Sequence, residues 1–238
     1  MGMIELKDSC VEWIRAWFER NGKGCCAVLG MSGGKDSTVA AALCREALGA
    51  DKVVGVAMPA RGQSLNDADE ICKYLGIRYM CIPVGGTIEA LREALPAGLS
   101  AQAEQNIPPR IRMTTLYAVS QSVGGRVVNT CNLSEDWVGY ATRWGDSVGD
   151  FSPLGGLTVQ EIRGIGHALG LPSKWVDKTP DDGLPHSCSD EQKFGFTYEV
   201  LDRYIRTGEC DDPAVRAKID SMHERNLFKL SMPEKFEP

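Results

Sequence analysis

The segment Gly30-Met31-Ser32-Gly33-Gly34-Lys35-Asp36-Ser37 holds, within one turn of chain, the groups that a phosphate-binding loop needs. It stands between a short apolar run, CCAVLG ending at Gly30, and the Ala- and Leu-rich run Ser37 to Leu48. The pattern is strand, glycine loop, helix N-terminus. Free N–H groups and the positive end of the helix dipole then converge on an anion. Gly33 and Gly34 permit close backbone approach and positive φ. Ser32 and Ser37 add hydroxyl donors, and Lys35 adds a cation. Asp36 is the odd member, since a carboxylate repels phosphate; it makes sense as a ligand of Mg²⁺ bridging to phosphate oxygens. A glycine turn with a serine cap accounts for two adjacent glycines, but not for the whole string. Nor is the string a Walker A loop, because Lys35 is followed by Asp36 rather than Ser or Thr.

The rest of the composition bounds what such a loop can serve. The chain has 238 residues, with 26 Lys and Arg against 32 Asp and Glu, a net charge of −6. An acidic balance speaks against a long nucleic-acid footprint, while leaving room for a local cationic pocket. Hydrophobic residues at 43% and charged residues at 24% are globular values, which excludes a disordered or fibrous chain. No apolar run approaches the roughly 18 residues of a membrane span, and the start, MGMIELKDSC, lacks the pattern of a signal peptide. The nine cysteines include no CxxC pair and no ligand spacing with histidine. They read as reduced thiols of a cytoplasmic protein. His167, His186 and His223 are too scattered to argue for a catalytic set.

The elements around the loop follow from periodicity. Residues 4–20 place Cys10, Ile14, Trp17 and Phe18 at helical spacing. Strands are predicted at CCAVLG, at Lys52 to Met58, at Ile77 to Val84 and at RVVNT from Arg126 to Thr130. Helices are predicted at Ser37 to Leu48, Leu65 to Leu75, and near Ile88 to Leu95. Pro96 to Ile107 reads as a loop, and Pro108-Pro109 as the opening of a further helix, where proline suits the first turn. Helices follow at TVQEIRGIGHAL, at about Asp190 to Ile205, and near Pro213 to Arg225. Short buried strands alternating with helices predict an α/β fold, a doubly wound parallel sheet with helices on both faces. Neither a repeat nor a domain boundary is visible, so 1–238 reads as a single domain, with a C-terminal helical part from about 186 to 238.

The SGGKDS string resembles the pyrophosphate loop of the N-type ATP pyrophosphatase superfamily, whose members cleave ATP between the α and β phosphates and activate a substrate as an adenylate. Further segments resemble ammonia-dependent NAD synthetase: Asn106 to Met113 its N-x-x-x-R-x-R-M segment, and Asn129 to Glu135 its G-T-x-x-x-x-E stretch. Arg143 to Leu154 resembles its K-Y-G-D-x-x-x-D-x-x-P-L stretch. Lys178-Thr179-Pro180, Asp190-Glu191 and Phe196-Thr197-Tyr198 match later landmarks. The resemblance runs in order from Gly24 to the C-terminus. It implies an adenine nucleotide alpha hydrolase-like fold and amidation of deamido-NAD with ammonia, giving NAD, AMP and pyrophosphate. Free ammonia, or ammonia from a separate protein, is the expected donor, since no glutaminase set is visible.

By position in these motifs, Asp36 and Glu135 are the expected Mg²⁺ ligands. ATP is expected on Gly30 to Ser37, Met58, Thr130 and Asp181, with Lys35 also catalytic. Asp146 is expected to bind or deprotonate ammonia. Deamido-NAD is expected on Arg110, Arg143, Asp150, Lys178 and Lys229. Locally, Glu135 also reads as a first-turn acid of a helix capped by Ser134. Arg110 and Arg112 lie about 200° apart on a helix, so only one of them faces the site; the motif favours Arg110, leaving Arg112 a structural or intersubunit pair. Four residues depart from the pattern. Arg143 replaces a usual lysine, Val159 stands at a usual ATP-binding lysine, Asp181 at a usual Ser or Thr, and Phe228 at a usual His; Lys178 or Lys229 is the candidate replacement cation. A homodimer is expected, with the Trp13-to-Phe18 region and the Tyr117 helix as candidate faces that serve equally as core. A tRNA-modifying adenylating enzyme, and a non-catalytic nucleotide sensor, are the alternatives.

Overall fold

Two fully or largely buried strands, β1 (Cys26–Gly30) and β2 (Val53–Ala57), pair in parallel at the centre of a four-stranded sheet. The computed structural model describes residues 2–60, 62, 66–178 and 189–237. β3 (Arg78–Cys81) extends the sheet beyond β2, and β4 (Gly125–Val127) lies on the other side of β1, so the order is β3-β2-β1-β4, all parallel. Ala27 faces Val53 and Val28 faces Val54 across the central pair.

Helices alternate with these strands. α1 (Met3–Asn21) precedes β1, and α2 (Lys35–Leu48) joins it to β2. α3 (Asn66–Leu75) leads to β3; α4 (Gly85–Ala94) and α5 (Ala101–Ser122) lead to β4. After β4 come α6 (Leu133–Val138), α7 (Val159–Ala168), α8 (Ser173–Val176), α9 (Asp190–Phe194), α10 (Tyr198–Thr207) and α11 (Pro213–Asn226).

The period-two alternation of the strands divides the core. Ala27 and Leu29 of β1 pack with Ile14, Leu43, Ile71 and Ile162, on the face covered by α1, α2, α3 and α7. Val28, Val54 and Val56 pack with Ile88, Ile107 and Leu116, on the face covered by α4 and α5. Both faces of the sheet are thus buried, as expected of a doubly wound parallel sheet. A third cluster gathers Val138 and Val159 with Phe194, Phe196, Tyr198, Leu201 and Ile219, and so docks α9, α10 and α11 onto α6 and α7.

Three expectations are corrected. The helix opening at Pro108 begins instead at Ala101, because Ser100 accepts from the Ala103 N–H (3.2 Å) and Glu104 in the first turn pairs with Arg92 (2.8 Å). Pro108 and Pro109 sit in its third turn, where their missing N–H groups leave the Glu104 and Gln105 carbonyls without the usual i+4 donor. The single helix from Asp190 to Ile205 is two: Gly195 (φ 77°) ends α9, and Thr197 caps α10 by accepting from Val200. The strand expected over Ile77 to Val84 is confined to four residues.

The chain steps from β1 outward to β2 and β3, then returns to place β4 on the opposite side of β1. The crevice at the carboxyl ends of β1 and β4 is therefore the topological switch point, where open α/β sheets bind ligands. The Gly30 loop leaves one side of it and Asn129 to Glu135 the other.

Candidate active site

The Gly30–Ser37 loop is locked before any ligand arrives. Gly33 takes φ 81°, and an added Cβ would stand 2.9 Å from Asp67 Cβ, so both conformation and space require glycine. Gly34 does not use positive φ; it caps α2 at φ −85°, and its N–H donates to Ser32 Oγ (3.1 Å). Ser32 and Ser37 share a hydrogen bond (3.2 Å), while Ser37 and Thr38 hydroxyls donate to the Gly34 carbonyl (3.1 and 2.7 Å). Met58, just past β2, closes the base of the loop: its Cε lies 3.4 Å from a Cβ placed at Gly30.

Lys35 is buried, and its Nζ donates to Asp36 Oδ2 at 2.8 Å and sits 5.9 Å from the centre of the Tyr198 ring. Burial pulls its pKa down, but Asp36 and Glu135 together hold it above the ordinary lysine value. The other Asp36 oxygen accepts from Asn132 Nδ2 at 3.2 Å. Asn132 also caps α6, accepting from Glu135 N–H at 3.0 Å. The cap is thus Asn132, not Ser134: an Asx side chain three residues before the first-turn acid supplies the acceptor. Ser134 turns inward and donates to buried Asp202 (2.5 Å) while accepting from Val159 N–H (3.1 Å). Three helix N-termini, those of α2, α6 and α7, are thereby tied together.

Glu135 is brought into the Lys35–Asp36 group, with Asp190 beyond it. Desolvation first, and repulsion from Asp36 second, raise its pKa far above the ordinary carboxylate value. Thr130 lies three residues beyond β4, half-buried, in a turn where Cys131 N–H donates to Asn129 Oδ1 (2.9 Å).

The expected dinucleotide residues form a second group. Arg110 Nε donates to the Arg143 carbonyl (3.2 Å). The Arg143 guanidinium stacks between Trp144 (5.1 Å) and Phe228 (5.3 Å) and donates to the Ser231 carbonyl (3.2 Å), its Nε buried without a partner. Trp144 has φ 64°, the one non-glycine positive φ among the described residues. Lys229 Nζ donates to the Gly139 and Ala141 carbonyls (2.8 and 3.3 Å). A cavity of about 300 Å³ lies among Asn129, Asp136, Arg143, Ser147, Lys229 and Ser231. Asp146, behind it, accepts from Thr142 N–H (2.7 Å), and burial raises its pKa; burial and Asp146 together push Asp136 to about 6.

Asp150 accepts from Val127 N–H (2.7 Å) and from Tyr117 OH (3.3 Å), which ties the loop to β4 and α5. Arg112 Nε donates to the Met58 carbonyl (3.0 Å), a structural contact as expected, and burial lowers its pKa. Lys178 pairs with Asp67 at 2.5 Å, beside Gly33 and apart from Lys229. Val159 is buried in the third cluster. Asp181 and His186 lie outside the described residues. Asn132, Asp202 and Asp67 were not singled out in the sequence; only Asn132 carried a signal, its capping distance from Glu135.

A glycine loop at the switch point of a doubly wound sheet, faced by a carboxylate from the neighbouring strand end, is the arrangement of a nucleotide-binding α/β enzyme. The comparisons narrow this. The family model NAD synthase matches residues 6–233. The NH(3)-dependent NAD(+) synthetase of Finegoldia magna is 37% identical over 240 residues, covering 100% of this chain and 98% of that one. Among solved structures, NH3-dependent NAD synthetase from Campylobacter jejuni aligns with TM-score 0.81 at 29% identity, covering 100% of both chains. NMN synthetase from Francisella tularensis aligns with TM-score 0.91 at 27% identity, over 99% of this chain and 98% of that one. The chain belongs to the NAD synthase family.

Proposed function

We propose that the protein forms NAD from deamido-NAD and ammonia, driven by ATP and passing through an adenylated intermediate. The observation that supports this best is the tie between loop, Asp36, Asn132 and Glu135 at the switch point, in a chain matched to NAD synthase along nearly its whole length.

A carboxylate is a poor acyl donor, since oxide is a bad leaving group. A nicotinate carboxylate oxygen attacks the α phosphorus of ATP, and the bond to the bridging oxygen breaks with release of pyrophosphate. Ammonia adds to the carbonyl carbon of the mixed anhydride and loses a proton, and AMP departs. The loop amides from Met31 to Lys35 and the α2 dipole receive the departing pyrophosphate, with Lys35 neutralising its charge. Met58 and Thr130 complete the ATP contacts.

Asp36 and Glu135 fit a divalent cation. Glu135 is buried and feels the charge of Asp36, with Lys35 offsetting part of it, so its charged form is short of a cation. Bound there, Mg²⁺ would screen phosphate charge. Arg143 and Lys229, which line the cavity, would meet the dinucleotide together with Arg110, Asp150 would fix the loop, Lys178 would add a cation beside Asp67, and Asp146 with Asp136 would offer ammonia a carboxylate surface. Two copies per assembly, in the cytoplasm, go with this reading. Along α5, a groove lined by Met113, Tyr117, Gln121 and Trp144 stays open, whereas Val11, Ile14 and Phe18 of α1 are core.

A second reading has the mononucleotide as substrate, favoured by the TM-score of 0.91 to NMN synthetase. Turnover with ATP and ammonia, measured on deamido-NAD and on nicotinic acid mononucleotide, separates them. The proposal expects the higher kcat/KM on deamido-NAD; a higher value on the mononucleotide establishes the second reading, and turnover of neither overturns both.

A further inference from the structure

Arg163 is a half-buried arginine whose Nε is shut off from solvent without a hydrogen-bond partner. Among the described residues it forms no ion pair, although the chain is rich in carboxylates. A buried N–H left without an acceptor costs stability, and an anionic ligand would supply the acceptor.

Its place in the fold says where that partner sits. α7 packs on α2 with Gly166 against Val39: a Cβ added at Gly166 would stand 3.2 Å from Val39 Cγ2. The N-termini of the two helices are tied through α6, by Val159 N–H to Ser134 Oγ and by Asn132 Nδ2 to Asp36 Oδ1. One turn from Val39 toward the N-terminus of α2 is Lys35; nearly one turn from Gly166 toward that of α7 is Arg163. This register sets Arg163 beside Lys35, and the repulsion between their charges is among the influences acting on Lys35. The first residue of α7, Val159, is buried and apolar, so Arg163 is the cation this helix directs toward the loop.

We propose that Arg163 is a binding residue for the polyphosphate of the nucleotide, reaching from α7 across to the phosphates seated on the Gly30–Ser37 loop. The inference rests on reading that loop as the nucleotide site. A polyphosphate offers several acceptor oxygens of dispersed charge, which suits a planar guanidinium. It also relieves the Lys35–Arg163 repulsion, since both cations then share one anion. AMP, lacking the β and γ phosphates, does not reach Arg163.

The test is calorimetric titration of wild type, Arg163→Gln and Arg163→Lys with α,β-methylene-ATP, inorganic pyrophosphate and AMP, each with Mg²⁺, together with the melting temperature without ligand. Arg163→Gln is expected to weaken the ATP analogue and pyrophosphate by at least about ten-fold, the loss of one charge-assisted hydrogen bond. AMP binding stays unchanged, Arg163→Lys recovers most of the loss, and Arg163→Gln melts no lower than wild type. If wild type binds the analogue and Arg163→Gln binds it equally well, the inference fails while the nucleotide site stands. A loss of equal size for AMP, or a lowered melting temperature, makes Arg163 a structural residue and overturns the inference. If wild type binds neither analogue nor pyrophosphate, the nucleotide site itself falls, and the inference with it.

Discussion

Around the Gly30–Ser37 loop, charged side chains face one another; around the Arg143–Asp150 loop, they grip backbone. Lys35, Asp36 and Glu135 form a nearly closed set in which Asn132 is the one neutral bridge. Arg110, Arg143, Lys229, Asp146 and Asp150 instead bond to the main chain of Arg143, Ser231, Gly139, Thr142 and Val127. The first arrangement holds charged groups together at the sheet's switch point, which is preorganisation for a highly charged ligand. The second uses charge to fasten a loop, whose Trp144 holds a left-handed conformation, to a C-terminal tail. Both halves are closed by contacts between residues some 90 positions apart, through side chains in the nucleotide half (Asn132 to Asp36) and through side chain to backbone in the substrate half.

The largest effect is expected on the nucleotide side. Asp36→Asn leaves one acceptor oxygen for two donors, Lys35 Nζ and Asn132 Nδ2, a local cost within a folded chain, and turnover falls by about a hundred-fold or more. Unchanged turnover at saturating Mg²⁺ would show that Asp36 holds no metal. Next comes Arg143→Ala, which removes a stacked, charge-assisted contact; deamido-NAD binding weakens roughly ten- to a hundred-fold and binding of an ATP analogue hardly changes. Calorimetry with each ligand alone measures both, and an equal loss of the two would mean that the halves are not independent.

Arg143→Lys sharpens the same point. The motif pattern alone suggests that lysine is tolerated. The Trp144–Arg143–Phe228 stack instead predicts a loss of roughly two- to five-fold, because an ammonium cannot fill a planar slot between two rings. Restoring full affinity by pairing Arg143→Lys with Phe228→His would tie both departures to one cause.

The smallest effect is thermodynamic. In metal-free protein the Glu135 carboxyl has a folded-state pKa raised above its ordinary 4.5. The folded state then binds the proton more tightly than the unfolded state, so stability falls as pH rises from about 4.5 through neutrality. Melting temperatures between pH 5 and 8 in the presence of chelator should show this slope, flattened in Glu135→Gln; an identical slope in the variant would remove Glu135 as its source.

The contrast also explains what could be read beforehand. The sheet, its two covered faces and the loop were legible because strand alternation, glycine spacing and helix start are local signals. The start of α5 was hidden, since Pro108-Pro109 is a stronger local mark than the Ser100 cap that begins the helix. The partners of Arg143 were hidden because Phe228 and Ser231 meet it only after α11 has folded back. The Ser134–Asp202 bond spans 68 positions and leaves no trace in spacing. Val159 was visible as a departure, but its role as core between α7 and α10 came from the packing.

The central claim is that ATP activates the carboxylate by adenylation at this site. Deamido-NAD labelled with ¹⁸O in its nicotinate carboxylate, turned over with ATP, Mg²⁺ and ammonia, tests it directly by mass spectrometry of the products. The account predicts one labelled oxygen in AMP, none in pyrophosphate, and AMP and pyrophosphate in equal amounts. Label in inorganic phosphate, with ADP as the other product, would place the cleavage at the γ phosphate and contradict it.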